Sequence, residues 1–244
     1  MIELQQHQAS VSTPFQFMDG VRAERTPNHL HLAFLRPYWV LSSAVENGGL
    51  VQASHLLNLR VDGNSVVDES PQQSLQKYAK ERQWQGPLVA MMTAASMNSC
   101  RMLSVNYQGL ELGVALTMGL SNAGRVGERA DITEVMPAAH HMGTINIMLI
   151  CSVAMTAAAM VEAVQMVTEA KVAALQDAGI RSKKSSQLAT GTGTDAVAVC
   201  CGGLASAHGQ EPAIAYCGKH LVTGELIGRL VHEGLKSSLA WYAE

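Results

Sequence analysis

The chain has 244 residues, 48% of them apolar and only 15% charged, with a formal net charge of −3. That length buries a sizeable core without disulfides or metal staples. A weakly acidic balance supplies no basic field for nucleic acid, which excludes that class of partner. Aromatic residues are scarce at 5% while 13 methionines are present, so the core is expected to be Ala, Val, Leu and Met.

The N-terminus, MIELQQHQASVSTPF, has neither a basic start nor an apolar run, so no secretory signal is expected and the location is taken as cytoplasmic. Residues 1–28 are set apart as a candidate N-terminal extension of one domain spanning 1–244. HLHLAFL (His29–Leu35) alternates as a strand, and YWVLSS (Tyr38–Ser43) follows as a second one across Arg36-Pro37. ENGG marks a turn, and SHLLNLRV (Ser54–Val61) reads as the next strand. A helix is expected from Pro71, with Ser70 as its cap and proline in the first helical position. PLVAMMTAA and LELGVALTMGLSNAGRVG read as buried strands that end in loops of small residues.

The run between Glu134 and Glu162 has no charge and contains TINIMLICSVAMTAAAM. Asn146 and two threonines interrupt it and its period changes midway, so a buried strand feeding a helix is expected rather than a membrane span. The helix reads from Thr156 to Ala178, with Met160, Val164, Val167, Lys171, Ala174, Leu175 and Ala178 on one face and Gly179 as its stop. RSKKSSQ is a solvated loop, and DAVAVCC is the strand after it. A last helix begins near Thr223, with Ile227, Leu230, Val231, Gly234, Leu235 and Leu239 as its stripe. Strands outnumber helices and some are consecutive, so the expected fold is α+β: a single domain with a mixed, largely antiparallel sheet packed with helices.

The chemistry is expected in the loops, where small residues stand beside rigid strands. CGKHL lacks the hydroxyl and the upstream glycine of a P-loop, and GTGTDA enters a strand where a dinucleotide fingerprint needs a helix. No HExxH occurs, and the adjacent His140 and His141 cannot share a face of a strand, so no metal and no cofactor is expected. The five cysteines form no CxxC pair and read as packed thiols of a reducing compartment. The hydroxyls of Thr192 and Thr194 could merely satisfy their loop. Asp195 stands at the mouth of a buried strand, where a carboxylate needs a partner.

Taken in order, LSSAVENGG, MMTAA, GLSNAGRVGE, GTINIML, VTEAKVAALQDAG, ATGTGTDAVAV and YCGKHLVTGELIGRLVHEGL resemble the adenosylcobinamide amidohydrolase family, from about Tyr38 to the C-terminus. One departure is Met142, where the family commonly has proline before the GTINI segment. The resemblance implies hydrolysis of an amide on a corrinoid side chain, giving adenosylcobyric acid and aminopropanol in cobalamin salvage. A non-catalytic corrinoid-binding module for transport or regulation would share the pocket and lack turnover. Self-cleavage ahead of Thr192 or Thr194, leaving an N-terminal nucleophile, is a second alternative.

For hydrolysis the expected roles are these. Asp195 orients or deprotonates a water that Thr192 and Thr194 hold. Asn122 or Asn146 donates to the oxyanion, and His220, Glu225 or Lys219 protonates the amine. Ser121, Arg125, Thr144, Glu169, Lys171 and Lys219 are candidates for substrate contact, with Arg125, Glu169 and Lys171 alternatively pairing with charged groups behind the contact, although charges on a helix surface are as a rule simply solvated, and an asparagine beside glycines often just steadies a turn. The partner is then a corrinoid, with neither nucleic acid nor membrane, and a homo-oligomer is left open.

Overall fold

Alternating apolar strands need a covered face, and here both faces of the sheet are covered. The computed structural model describes residues 2–7, 13–61, 70–130, 144–206 and 213–242. Its elements run β1 (Gln5–His7), β2 (Phe15–Met18), β3 (Val21–Arg25), β4 (His29–Ser42), β5 (Gly49–Arg60), α1 (Pro71–Glu81), β6 (Leu88–Thr93), β7 (Arg101–Tyr107), β8 (Leu110–Met118), β9 (Ala123–Gly124), β10 (Ile145–Thr156), α2 (Ala157–Asp177), β11 (Gly191–Thr192), β12 (Ala196–Ala205) and α3 (Val222–Tyr242). Ten strands form one sheet in the order β1-β7-β8-β10-β12-β4-β3-β2, with β5 on β4 and β6 on β5. Two pairs are parallel, β10 with β12 and β5 with β6, and the others are antiparallel. The architecture is the expected α+β domain.

The sheet is rolled until its ends meet. His7 on β1 packs its ring 5.0 Å from that of Phe17 on β2, at the other end of the strand order. β2 lies so close over β8 that a Cβ on Gly113 would sit 2.3 Å from Met18 Sδ. The inside of the roll holds Phe17, Leu32, Val40, Met102, Met148 and Cys200. The outside is covered by α2 and α3, through Leu116, Ile147, Val199, Cys201, Val167 and Leu230. Truncating one such leucine to alanine typically costs about 2–5 kcal/mol. α1 covers a third cluster on β5 and β6, built on Leu57, Leu75 and Ala90.

Local signals account for most boundaries. Ser70 and Gln73 form a reciprocal capping box at α1. Thr156 caps α2, accepting from Ala159 N at 3.1 Å, so the uncharged run is strand β10 turning directly into a helix. Gly179 ends that helix region with a φ of 67°. No described helix is long and apolar enough to cross a membrane.

The fold also departs from expectation. The two strands expected on either side of Arg36-Pro37 are one, β4, and the irregularity between Ala33 and Tyr38 is where the proline is tolerated. The segment ahead of His29 contributes β1, β2 and β3, and β7 has no counterpart in the sequence patterns above.

Candidate functional site

Several chain segments meet at one end of the roll. β10 and β12 are parallel, so their N-terminal ends lie side by side, and β8 runs antiparallel so that Met118 stands opposite Ile145. Asp195 is the residue ahead of β12. Its Oδ1 accepts the Ile145 amide at 3.0 Å and the Thr192 hydroxyl. Its Oδ2 accepts the Thr192 amide at 3.1 Å and the Lys171 ammonium from α2. These four donors fill the roughly four lone-pair positions of a carboxylate. The Lys171 and Asp195 side chains are 9% and 12% exposed, and charges so nearly buried are tolerated only when paired. The backbone closes directly over the pair. A Cβ on Gly191 would lie 2.3 Å from Asp195 Oδ2 and 2.8 Å from Lys171 Nζ, so any larger residue displaces the two charged side chains from their places.

Three consecutive residues of the β10 end hold this loop and its surroundings. The Thr144 hydroxyl donates to Thr194 O at 2.6 Å. The Ile145 amide is on Asp195. Asn146 Nδ2 donates to Asn58 Oδ1 at 2.7 Å and to Met92 O at 2.9 Å. Both Asn146 N–H groups are therefore committed within the protein. Asn58 Nδ2 in turn donates to Thr117 Oγ1 at 2.7 Å.

The loop after β8 lies alongside. β9 pairs with β11, Gly124 opposite Gly191 and Ala123 opposite Thr192, which fixes the Thr192 backbone. Asn122 Nδ2 lies beside Gly193, 3.4 Å from where a Cβ would be, and its buried Oδ1 has no partner among the described residues. Ser121 is exposed. Arg125 donates to Leu188 O at 3.1 Å, and its amide donates to Glu128 Oε2 at 3.0 Å. Glu128 also accepts from the Ser185 hydroxyl and, at 2.7 Å, from that of Ser182. The Ser185 bond first, then the Arg125 amide and Ser182, hold its carboxyl down at about 2. Arg125 and Glu128 thus staple the loop after β8 to the one before β11. Val126, whose amide donates to Thr190 Oγ1 at 2.8 Å, stands 81% exposed on this stapled loop.

The other candidates lie elsewhere. Lys219 pairs with Glu169 at 2.6 Å, both well exposed. Glu169 and Lys171 are two residues apart on a helix, which sets them about 200° apart around its axis. Glu225 reaches Arg229 one turn on, at 3.7 Å, and His220 is exposed beside Gly218. Exposed pairs of this kind contribute about 0–1 kcal/mol. The structure therefore gathers Asp195, Thr192, Thr194, Thr144, Asn146, Asn122 and Lys171, and turns Glu169 and Lys219 away from them. His140, His141, Met142 and Gly143 lie outside the described residues. Among the described residues no group of three His, Cys, Asp or Glu is placed to hold a metal. All five cysteines are buried, and burial pushes the Cys100, Cys151 and Cys217 thiols up to about 12 and Cys200 well above its usual range. They are thiols, not nucleophilic thiolates.

Asn58 and Thr117 were not foreseen. A signal existed for each: Asn58 alternates with Leu56 in β5, and Thr117 with Ala115 in β8, so both are polar residues in core positions.

The family model described as adenosylcobinamide amidohydrolase matches residues 14–244. An uncharacterized protein of Methanocaldococcus jannaschii is 31% identical over 167 residues, a match spanning 62% of this chain and 62% of that protein. A protein of Methanosarcina mazei described as adenosylcobinamide amidohydrolase is 25% identical over 196 residues, 79% of this chain and 86% of its own length. A crystal structure of a Pyrococcus horikoshii protein superposes with a TM-score of 0.43 at 8% identity, covering 98% of this chain and 84% of that one, and a likeness of that size carries no argument.

Proposed function

The chain belongs to the adenosylcobinamide amidohydrolase family, and we propose that it hydrolyses the amide joining aminopropanol to the corrinoid of adenosylcobinamide, releasing aminopropanol and adenosylcobyric acid for re-use in cobalamin assembly. The observation that carries this reading is the nearly buried Lys171–Asp195 pair beneath a loop of glycines and threonines. Burying a charge pair is a poor way to stabilise a fold compared with apolar packing, so its presence at a loop mouth points to chemistry.

Amide hydrolysis needs an activated nucleophile, a donor for the oxyanion and a proton for the departing amine. Of the four donors on Asp195, two are backbone amides and one is an ammonium. The Thr192 hydroxyl carries no charge and can leave by a turn about its own Cα–Cβ bond. When it swings away it holds a water, and Asp195 Oδ1 takes that water's proton as the hydroxide adds to the amide carbon. Lys171 remains as the counter-ion. Asn122, beside Gly193, supplies an N–H to the developing oxyanion, since those of Asn146 are already engaged. The tetrahedral adduct then breaks at the C–N bond, and the proton on Asp195 passes to the amine. Water has by then given OH to the carbonyl carbon and H to the nitrogen. This assigns to Asp195 the proton delivery expected of Lys219, His220 or Glu225, whose side chains engage other partners or solvent. Val126 offers an apolar surface at the rim for the corrin ring.

The test is incubation of the purified protein with adenosylcobinamide and quantification of aminopropanol. Release in step with adenosylcobyric acid supports the reading. Tight binding without product would identify a corrinoid-binding module instead.

A further inference from the structure

The inside of the roll is lined by Leu, Met, Val, Ala and Phe, and at one end three polar side chains interrupt it. Asn58 comes from β5, Thr117 from β8 and Asn146 from β10, and each is at most 1% exposed. Leucine or valine would fill such positions with no hydrogen-bonding demand. Polar groups at this depth survive only when they satisfy one another, and these do: Asn146 donates to Asn58 at 2.7 Å and Asn58 to Thr117 at 2.7 Å. Asn146 also donates to Met92 O on β6 at 2.9 Å.

Their location gives the arrangement its meaning. β10 is not a ladder neighbour of β5 or β6, so no backbone pairing sets the distance between them. The Asn146 amide does, by bonding across the roll to both. Immediately before it, the Ile145 amide holds Asp195 Oδ1 at 3.0 Å and the Thr144 hydroxyl holds Thr194 O at 2.6 Å. A shift of the β10 end would carry the Asp195 loop with it.

We propose that Asn58, Thr117 and Asn146 are positioning residues: they lock the end of β10 across the roll and thereby set the Asp195 carboxylate in its working place. This deepens the hydrolase reading and rests on it. A displacement of about 1 Å in a catalytic group can cost on the order of 100-fold in rate.

The decisive variant is N58L/T117V/N146L, which replaces all three polar side chains of this group by apolar ones. It is expected to lose roughly 10–100-fold in kcat while KM and melting temperature stay close to the wild type. Because that variant risks misfolding, T117V and T117S are compared beside it. T117V removes one acceptor and is expected to lower kcat several-fold, and T117S, which keeps the hydroxyl, to restore it. Hydrogen exchange supplies a readout independent of turnover: the Ile145 amide should exchange at least about 10-fold faster in T117V, with the amides of α3 unchanged. Wild-type kcat in the triple variant or in T117V overturns the proposal, and so does an unaltered Ile145 exchange rate. A fall in kcat that T117S does not reverse overturns it as well. An inactive wild-type protein would defeat the hydrolase reading, and the exchange comparison would still decide whether these residues hold the β10 end.

Discussion

Replacing Lys171 by methionine removes one charge of the buried pair and keeps the unbranched stem, one atom shorter. Asp195 is then left with three donors, the Thr192 amide, the Thr192 hydroxyl and the Ile145 amide, but no counter-ion. Breaking a buried pair by removing one partner costs about 3–5 kcal/mol. The residual exposure of 9% and 12% and the three surviving bonds favour the low end, about 3 kcal/mol. For a chain of this size each kcal/mol lowers Tm by about 2–4 °C, so a fall of about 6–12 °C is expected by calorimetry. Lys171→Met combined with Asp195→Asn should recover most of that loss, because the uncompensated charge disappears while an acceptor oxygen remains. A Lys171→Met protein melting within 1 °C of the wild type, or a double variant no more stable than the single one, would refute the description of this pair as a buried, mutually dependent unit.

Gly191→Ala places a methyl within 2.3 Å of Asp195 Oδ2, so kcat should collapse together with a measurable fall in Tm. Glu128 has a folded pKa of about 2 against an ordinary 4.5; a carboxyl depressed on folding stabilises fully above about 4.5 and loses that contribution as pH falls to about 2. The Tm difference between wild type and Glu128→Gln should therefore be largest near neutrality and shrink across that window, and a pH-independent difference would contradict the loop-staple role. Cys200→Ala should cost about 1 kcal/mol of stability and leave turnover intact, since a thiol pushed well above its usual range is no nucleophile; a folded but inactive variant would count against the water mechanism.

The helices were legible because amphipathic spacing and caps are local. Ser70, Thr156 and Gly179 mark their boundaries, and Ile227, Leu230, Val231 and Leu235 are buried as the stripe requires. The roll was not legible, because closure depends on β2 lying over Gly113, a contact across 95 residues of sequence. The consecutive Cys200 and Cys201 carried a trace of it, being apolar in both directions as a strand covered on both faces must be. In the site, Asp195 stood out by its position, and its need for a partner is met. Lys171 was visible on the buried stripe between Val167 and Leu175, and the general solvation of helix lysines obscured it. Asn58 and Thr117 were hidden because their partners come from other strands, at separations no local pattern encodes.

The proposed function is breakage of an amide of adenosylcobinamide through Asp195. Its most direct test is a single-turnover reaction of the wild type and Asp195→Asn with adenosylcobinamide, following aminopropanol and corrinoid binding in the same samples. The expected result is stoichiometric aminopropanol from the wild type and about 10²–10⁴-fold slower release from a variant that still binds. Binding without release by the wild type, or release by Asp195→Asn at the wild-type rate, would contradict it.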